Sequence, residues 1–238
     1  MSLWISILGT GVAGGVFYFC LPWLYCRWNR LRLRRQAVRR ACVVLTLDDG
    51  PGRRLTPAVL DLLAAGTVKA TFFLLGRNIR ENQDLVRRLR AQGHEIGSHT
   101  YDHLHAWKVA PWRCVSDIRR GFKAIDDALG VERGRYPFRP PYGKLNLVTL
   151  LYLWAKRIPI AFWTTDSGDT WLFDGSRCDR AATAVEKMGG GVVLAHDFDR
   201  ESDEVHRYVL NALGAVLETA KKRGLLVSTF SQLRSVRP

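Results

Sequence analysis

Short apolar runs alternate along the chain with longer segments in which apolar residues recur every three or four positions. The short runs, bounded by Gly, Pro and Asp, predict buried strands, and the longer segments predict amphipathic helices. The predicted strands are residues 42–47, 70–75, 95–98, 158–163, 191–195 and 225–227, and the predicted helices are residues 56–64, 81–92, 112–129, 146–156, 178–188 and 205–223. This alternation indicates an α/β protein with a parallel sheet, and the number of units favours a closed or nearly closed (β/α) barrel.

The beginning of the chain has a different pattern. Residues 3–26 contain no charged side chain and are rich in Leu, Ile, Val, Phe and Trp. A helix of this length can cross a hydrocarbon layer of about 30 Å. Aromatic residues cluster at its far end, which is typical of a membrane interface. Residues 1–26 are therefore predicted to be a membrane-anchoring helix, which either spans the membrane or, kinked at Pro22, re-enters it.

The charge of the chain is concentrated after this segment. The sequence has 36 Lys and Arg against 22 Asp and Glu, a net charge of +14. Residues 27–40 hold seven of these arginines and no acid; they are Arg27, Arg30, Arg32, Arg34, Arg35, Arg39 and Arg40. We expect an Arg-rich juxtamembrane linker that lies along anionic lipids, with Leu31 and Val38 on one apolar stripe. A nucleic-acid partner is not expected, because the membrane segment already accounts for the arginines.

The same asymmetry predicts an orientation. Basic residues that flank a membrane segment stay on the cytoplasmic side. Residues 41–238, the remaining domain, are therefore expected to face the cytoplasm from the inner membrane. The five cysteines agree with this location, because they are scattered and form no disulfide framework or C-x-x-C metal pair.

Polar residues gather where the predicted strands end, and the loops at this end of a (β/α) barrel carry its chemistry. Adjacent carboxylates are costly to bury unless a cation or a proton transfer uses them, although an Asp-Gly turn is the alternative. Two histidines four residues apart share one face if their loop is helical, as metal binding requires. A histidine at a strand end is placed for proton transfer. The loops are Asp48-Asp49-Gly50, His99 to His103, Arg139 to Gly143, Asp166 to Trp171 and Leu194 to Asp197.

Taken together, these motifs resemble those of the NodB-like polysaccharide deacetylases, carbohydrate esterase family 4, over residues 43–227. The family's T-F-D-D-G motif corresponds to T-L-D-D-G at 46–50, and its H-S/T-x-x-H motif to H-T-Y-D-H at 99–103. R-P-P-Y-G at 139–143 and L-A-H at 194–196 match two further motifs. The D-S-x-D-W motif departs from the family, because Thr170 occupies the Trp position and Trp171 follows it. This departure leaves the acyl preference open.

The resemblance implies a distorted (β/α) barrel and a metal-dependent carbohydrate N-deacetylase. By the same resemblance, one divalent ion, expected to be zinc, would be held by Asp49, His99 and His103. The catalytic residues would be the base Asp48, the acid His196, and Arg139 and Asp169 (or Asp166), which set their charge and orientation. The residues that contact the acyl group would be Tyr142, through its backbone N–H, Trp171 and Leu194.

The expected substrate follows from the predicted orientation. A domain on the cytoplasmic face would act on an N-acylated amino sugar of a polyprenyl-phosphate-linked or other glycolipid precursor. An outward-facing deacetylase of a cell-wall polysaccharide is the alternative, if the arginine bias is overridden. A third possibility is a glycan-binding pseudoenzyme without metal, which would be marked by the loss of a ligand residue.

Overall fold

A computed structural model describes residues 2–170 and 178–235, with side chains from residue 17 onward within the first helix. The helices are α1 (Ser2–Arg39), α2 (Leu55–Ala65), α3 (Gly76–Glu81), α4 (Gln83–Ala91), α5 (Pro111–Leu129), α6 (Leu147–Ala155), α7 (Arg180–Met188), α8 (Asp203–Lys222) and α9 (Phe230–Ser235). The strands are β1 (Cys42–Asp48), β2 (Thr71–Leu74), β3 (Glu95–Ser98), β4 (Thr165–Asp166), β5 (Gly191–His196) and β6 (Leu226–Ser228).

The strands form one parallel sheet in the order β3-β2-β1-β5-β4, and β6 pairs with the first half of β1. The predicted parallel α/β sheet is therefore confirmed. Beyond β3, isolated parallel bridges join Ser98 to Phe138 and Phe138 to Ile160. The chain then runs from Ile160 directly into β4, which returns to β5. Hydrogen bonds thus continue around a circuit, as the expected distorted barrel requires.

The predicted strand 158–163 differs from the structure at this point. Ile160 bridges to Phe138 on one side of the circuit, whereas Thr164 donates its backbone N–H to the carbonyl of Val192 on the other. The segment therefore changes partners within a few residues. Because no single neighbour pairs with its whole length, it forms an isolated bridge and the two-residue strand β4 instead of a regular strand.

The alternation of side chains along β1 determines what faces the interior of this circuit. Val43, Leu45 and Leu47 pack in the cluster that also holds the apolar faces of α2, α7 and α8. The residues between them point the other way, since successive strand side chains alternate. Val44 packs with Phe73, Phe138 and Phe162, and Asp48 follows on the same face as Val44 at the carboxyl end of the strand. The sheet therefore places the Asp48 side chain inside the circuit at the carboxyl ends of the strands. This position is called the inner rim below.

The predicted membrane anchor is not supported by this structure. Within the part of the chain whose side chains are described, no helix has both the length and the apolar character needed to cross a membrane. Much of the predicted anchor, the side chains of residues 1–14 and Val16, lies outside the described residues. The backbone of the anchor segment and that of the Arg-rich segment form the continuous helix α1.

The Arg-rich segment is packed against the domain. Cys26, Leu33 and Ala37 are buried on one side of α1, in the same cluster as Val44 and Val192 of the sheet. Gly190 lies so close to this helix that a Cβ at that position would come within 2.9 Å of the Ala37 carbonyl oxygen. The predicted apolar stripe of Leu31 and Val38 lies outside this buried side of α1; both side chains are exposed, and its contact with lipids stays a prediction. Apolar residues occur on several faces of α1, so their spacing alone did not identify the buried one.

This packing predicts different effects for two leucines of the same helix. Leu33 is 2% exposed and Leu31 is 50% exposed. We expect Leu33→Ala to lower the free energy of unfolding by about 2–5 kcal/mol, because it leaves a cavity in the core. Leu31→Ala is expected to change it by less than about 0.5 kcal/mol. Urea denaturation of the full chain measures both, and equal effects would contradict the packing of α1.

Candidate active site

The carboxyl ends of β1 and β5 bring the first two candidate residues together. The strands pair in parallel with Asp48 opposite His196, and Thr46 opposite Leu194. Paired residues of neighbouring strands point to the same face, so both functional side chains face the inner rim. The loops that follow β1, β3 and the Phe138 bridge bring Asp49, the histidines and Arg139 to the same rim.

Asp49, His99 and His103 form the one cluster of potential metal ligands among the described residues. Asp49 Oδ1 lies 3.5 Å from Nε2 of His99 and 3.5 Å from Nε2 of His103. Ligands about 2.0–2.2 Å from a tetrahedral zinc ion would be separated by about 3.3–3.6 Å, so one ion fits between these atoms. Asp49 Oδ1 is also buried without a hydrogen-bond partner, as a ligand oxygen would be. The donor set therefore fits a divalent metal ion.

The surroundings of His99 prepare it for this role. Its Nδ1 lies 2.8 Å from the carbonyl oxygen of Arg139. Because a carbonyl only accepts, Nδ1 carries the proton and Nε2 keeps its lone pair for the ion. Burial lowers the pKa of His99 to about 3, and burial also lowers the pKa of His103. Both imidazoles are therefore neutral near pH 7, the form that binds metals.

The two histidines do not lie on a helix, so the helical condition under which their spacing would place them on one face is not met. The backbone of residues 99–105 is irregular, and both Thr100 and His103 have positive φ values of 70° and 61°. The His103 N–H donates to Thr100 Oγ1, and the Asp102 N–H donates to Asp117 of α5. A strained turn held by α5 brings the imidazoles together here, in place of helical spacing.

Asp48 and Arg139 form a buried ion pair directly beside this cluster. Arg139 Nη1 donates to Asp48 Oδ1 at 2.7 Å and to Thr46 Oγ1 at 2.8 Å, and the Arg139 guanidinium is fully buried. Asp48 Oδ2 lies 3.7 Å from His99 Nε2 and so faces the metal site. Burial raises the pKa of Asp48, whereas the charge of Arg139 opposes this rise. The carboxylate is thus held in place with one oxygen directed at the cluster.

His196 is held by a second carboxylate on the other side of the rim. Asp169 Oδ1 lies 2.9 Å from His196 Nδ1, and Asp169 Oδ2 accepts from the His196 N–H and from Arg200. Burial alone would lower the pKa of His196, but the hydrogen bond and charge of Asp169 outweigh it and raise the pKa to about 9. The imidazole is therefore protonated near pH 7. Asp166 accepts from the N–H of Gly168 instead and makes no bond to His196.

The remaining candidate residues differ in what the structure says of them. Tyr142 lies in a tight turn with φ 56°, and its half-exposed ring is 4.6 Å from that of His103. Leu194 is buried on β5 on the same face as His196. Trp171 lies outside the described residues. Tyr142 thus lies beside the cluster, whereas Leu194 is placed only by its strand, opposite Thr46.

Several residues that support this site were not singled out from the sequence. Asp197 is fully buried; burial raises its pKa to about 7, and it accepts a hydrogen bond from Thr56. It also packs against Gly50, where a Cβ would lie 2.3 Å from Asp197 Oδ1. A carboxylate directly after a histidine at a strand end was a usable signal. Thr56 and Arg200 gave none, because their partners are distant in the sequence.

Comparisons with known proteins agree with this geometry. The family model described as "Polysaccharide deacetylase" matches residues 35–158. Peptidoglycan-N-acetylglucosamine deacetylase PgdA of Listeria monocytogenes is 33% identical over 195 residues, which cover 80% of this chain and 38% of that protein. A peptidoglycan-N-acetylglucosamine deacetylase of Bacillus cereus is 31% identical over 195 residues, covering 80% of this chain and 87% of that protein.

A solved structure gives the same result. The crystal structure of a peptidoglycan N-acetylglucosamine deacetylase superposes with a TM-score of 0.72 at 30% identity, covering 82% of this chain and 89% of that one. The family model matches more than half of the chain. The parallel sheet, the order of the motifs and the clustering of the site residues agree with that match. This chain belongs to the polysaccharide deacetylase family, carbohydrate esterase family 4.

Proposed function

We propose that this chain hydrolyses the N-acetyl group of N-acetylglucosamine residues in a cell-wall polysaccharide, most simply peptidoglycan. The observation that carries this proposal is the cluster of Asp49, His99 and His103 flanked by Asp48–Arg139 on one side and His196–Asp169 on the other. An amide hydrolase needs a metal site with a base and an acid beside it. The relatives named above as peptidoglycan-N-acetylglucosamine deacetylases supply the substrate class.

The chain's own residues divide the work as follows. A divalent ion on Asp49, His99 and His103, which we propose to be zinc, would acidify a water molecule and polarise the amide carbonyl. Asp48 would take a proton from the attacking water through Oδ2, since Arg139 holds Oδ1. The charge of Arg139 favours the ionised carboxylate and opposes the rise in the pKa of Asp48 that burial causes.

His196 would act on the other side of the amide. Its Nδ1 is bound to Asp169, so Nε2 is the nitrogen free to meet the substrate. The carbon–nitrogen bond breaks as the leaving amine takes the Nε2 proton, and acetate is the second product. The turn at Tyr142 and the side chain of Leu194 would border the acetyl group.

The expectation of a lipid-linked substrate at the cytoplasmic face finds no support in the comparisons, which favour the wall-polysaccharide alternative. A wall polysaccharide lies outside the plasma membrane, so the present proposal includes an outward-facing domain. The orientation predicted from the arginines is the opposite one, with the domain facing the cytoplasm. A C-terminal fusion to a reporter that is active on only one side of the membrane decides between the two orientations. The interpretation as a pseudoenzyme without metal required the loss of a metal-binding residue, whereas Asp49, His99 and His103 are all present and lie together.

The proposal is tested by incubating the zinc-loaded full chain with N-acetylated peptidoglycan fragments. We expect release of acetate and the appearance of free amines on glucosamine, detected by mass spectrometry. A polyprenyl-phosphate-linked N-acetylglucosamine serves as the comparison substrate. Turnover of the lipid-linked sugar alone would overturn the wall assignment, and no turnover of any N-acetylglucosamine glycan would overturn the deacetylase itself.

The pairing of His196 with Asp169 predicts a shift in the pH profile. The acid must be protonated, so activity falls as pH rises through the pKa of His196, which Asp169 raises. Asp169→Asn removes that charge, and we expect the alkaline limb to move to lower pH and kcat at pH 7 to fall about 10²-fold. A profile of kcat against pH measures this. If the alkaline limb stays in place, the group that titrates there is not His196, and the assignment of His196 as the acid is wrong.

A further inference from the structure

An open cavity lies between α1, the chain that follows α6 and the short helix α9. Its volume is about 300 Å³, and its lining includes three arginines, one from each of these elements, beside two aromatic rings and an amide: Arg32, Arg157, Arg234, Tyr25, Trp154 and Asn29. A water molecule takes up about 30 Å³ in the liquid, and cavities that bind small ligands begin at about 300 Å³. The space is therefore large enough for a polar headgroup.

The cavity lies at the amino ends of the strands, the end of the circuit opposite to the metal cluster. Arg157 lies three residues before the bridge made by Ile160. Helix α9, which carries Arg234, lies at the first residue of β2, since the Phe230 N–H donates to Thr71 Oγ1. The metal cluster follows the carboxyl ends of the strands, so a ligand in this cavity would not compete with a glycan at the candidate active site.

The three arginines of the cavity have no acidic partner. Their side chains reach solvent, and the guanidinium groups of Arg32 and Arg234 lie over the rings of Trp28 and Phe230 at 5.5 and 5.6 Å. Among the residues that the structure describes, no carboxylate forms an ion pair with any of the three. Aromatic contacts help to hold the cations in place but supply no net negative charge.

The arginines are close enough to repel each other. Partial burial lowers the pKa of Arg234, and the charge of Arg32 lowers it further. Glu95 opposes this effect from a distance, but its Oε2 accepts hydrogen bonds from Thr71 and Ser231 and it does not line the cavity. The cavity therefore keeps an excess of positive charge.

This arrangement favours a phosphate group. The N–H donors of a guanidinium match the spacing of phosphate oxygens, and arginine is the residue most suited to such recognition. Phosphate presents several oxygens in different directions, so it can accept from three arginines that come from three separate elements. A bound phosphate would also offset the repulsion between them.

The exposed side of α1 next to the cavity indicates what carries the phosphate. Leu24, Trp28 and Leu31 each directly precede a residue of the cavity lining, so the two faces lie about 100° apart on the helix. Apolar side chains that are 40–67% exposed recur on this side at spacings of three, four or seven residues; they are Phe17, Leu21, Leu24, Trp28, Leu31 and Val38. We call these six residues the exposed stripe.

An anionic lipid surface fits the exposed stripe better than a second copy of the helix does. Helix α1 contains six arginines and no acidic residue. Two copies packed stripe to stripe would bring their arginines together without any counter-charge. A lipid interface instead accepts apolar side chains between its headgroups and attracts the flanking arginines.

We propose that this cavity binds a phosphate group and that the headgroup of an anionic phospholipid supplies it, while the exposed stripe lies in the same lipid surface. Arg32, Arg157 and Arg234 donate to the phosphate oxygens from three sides. The ligand is distinct from the glycan, so this inference goes beyond the proposed function and its test requires no turnover.

The first arm of the test measures partition of the full chain onto two kinds of vesicle, phosphatidylcholine alone and phosphatidylcholine with phosphatidylglycerol. The exposed stripe contributes similarly to both, so the ratio of the two partition coefficients isolates the contribution of charge. We expect Arg32→Gln/Arg157→Gln to lower this ratio about tenfold. The control Arg133→Gln/Arg135→Gln removes the same charge from exposed positions in the loop after α5 and should change the ratio by less than about twofold.

The second arm measures binding of soluble glycerol phosphate by calorimetry, and we expect Arg32→Gln/Arg157→Gln to raise its dissociation constant about tenfold. If this constant rises but the unaltered chain shows no preference for phosphatidylglycerol, the phospholipid is overturned as the source of the phosphate. An equal fall of the vesicle ratio in the control would indicate general attraction to a basic protein and would overturn the cavity as the site. The absence of any effect of Arg32→Gln/Arg157→Gln in both arms would overturn it as well.

Discussion

Replacing His103 with alanine is expected to lower deacetylation by about 10³-fold or more and to release the metal ion. His103 supplies one of three clustered ligand atoms, so its loss leaves two, and the several kcal/mol that a bound ion contributes to catalysis are lost with it. The fold is expected to persist, because the packed core lies away from this loop. Metal content by mass spectrometry and the rate of acetate release are the measurements.

Two further variants make this result specific. His103 has φ 61°, where Asn is tolerated better than Ala, so His103→Asn separates loss of the imidazole from backbone strain. His105→Ala removes a nearby histidine that is not in the cluster and should retain the metal. Chelation of the unaltered chain should abolish activity, and added zinc should restore it. Full activity in chelated protein would disprove the metal site.

The predictions from the sequence agree best with the structure where the local residue pattern and the pairing of distant strands place a side chain on the same face. The apolar run that became β1 predicted a buried strand, and its alternation alone places Asp48 on the inner rim. The parallel register of β1 and β5 then sets Asp48 beside His196. Five loops at strand ends could therefore be predicted to meet, because parallel strands bring their carboxyl ends to one edge.

The features that could not be predicted depend on contacts between distant residues. The turn that carries His99 and His103 is irregular because Asp117 of α5 holds it, and no local pattern reveals that bond. The buried face of α1 is set by where the helix meets β1, β5 and α6. Leu31 and Leu33 are equally apolar, so only that contact distinguishes them.

Asp48→Asn is expected to retain the metal ion and lose about 10²- to 10⁴-fold in kcat. The asparagine side chain keeps the shape of Asp48 but cannot accept the proton of the attacking water. Asp49→Asn, one residue further, is the matched comparison, because it removes a ligand and should lose both metal and activity. Equal metal loss in the two variants, or near-normal turnover in Asp48→Asn, would contradict the division of roles between the adjacent carboxylates.

The ion pair with Arg139 complicates that experiment and also supplies its control. Asp48→Asn leaves a fully buried guanidinium without its counter-charge, a change that costs about 3–5 kcal/mol in comparable pairs and can itself unfold the protein. Asp48→Asn/Arg139→Gln removes both charges, so we expect its melting temperature to recover relative to Asp48→Asn while its kcat stays low. If stability and kcat recovered together, the loss in the single variant would reflect unfolding. Recovery of stability alone would assign the loss to the missing base, because the restored fold would still have no group at this position to take the proton.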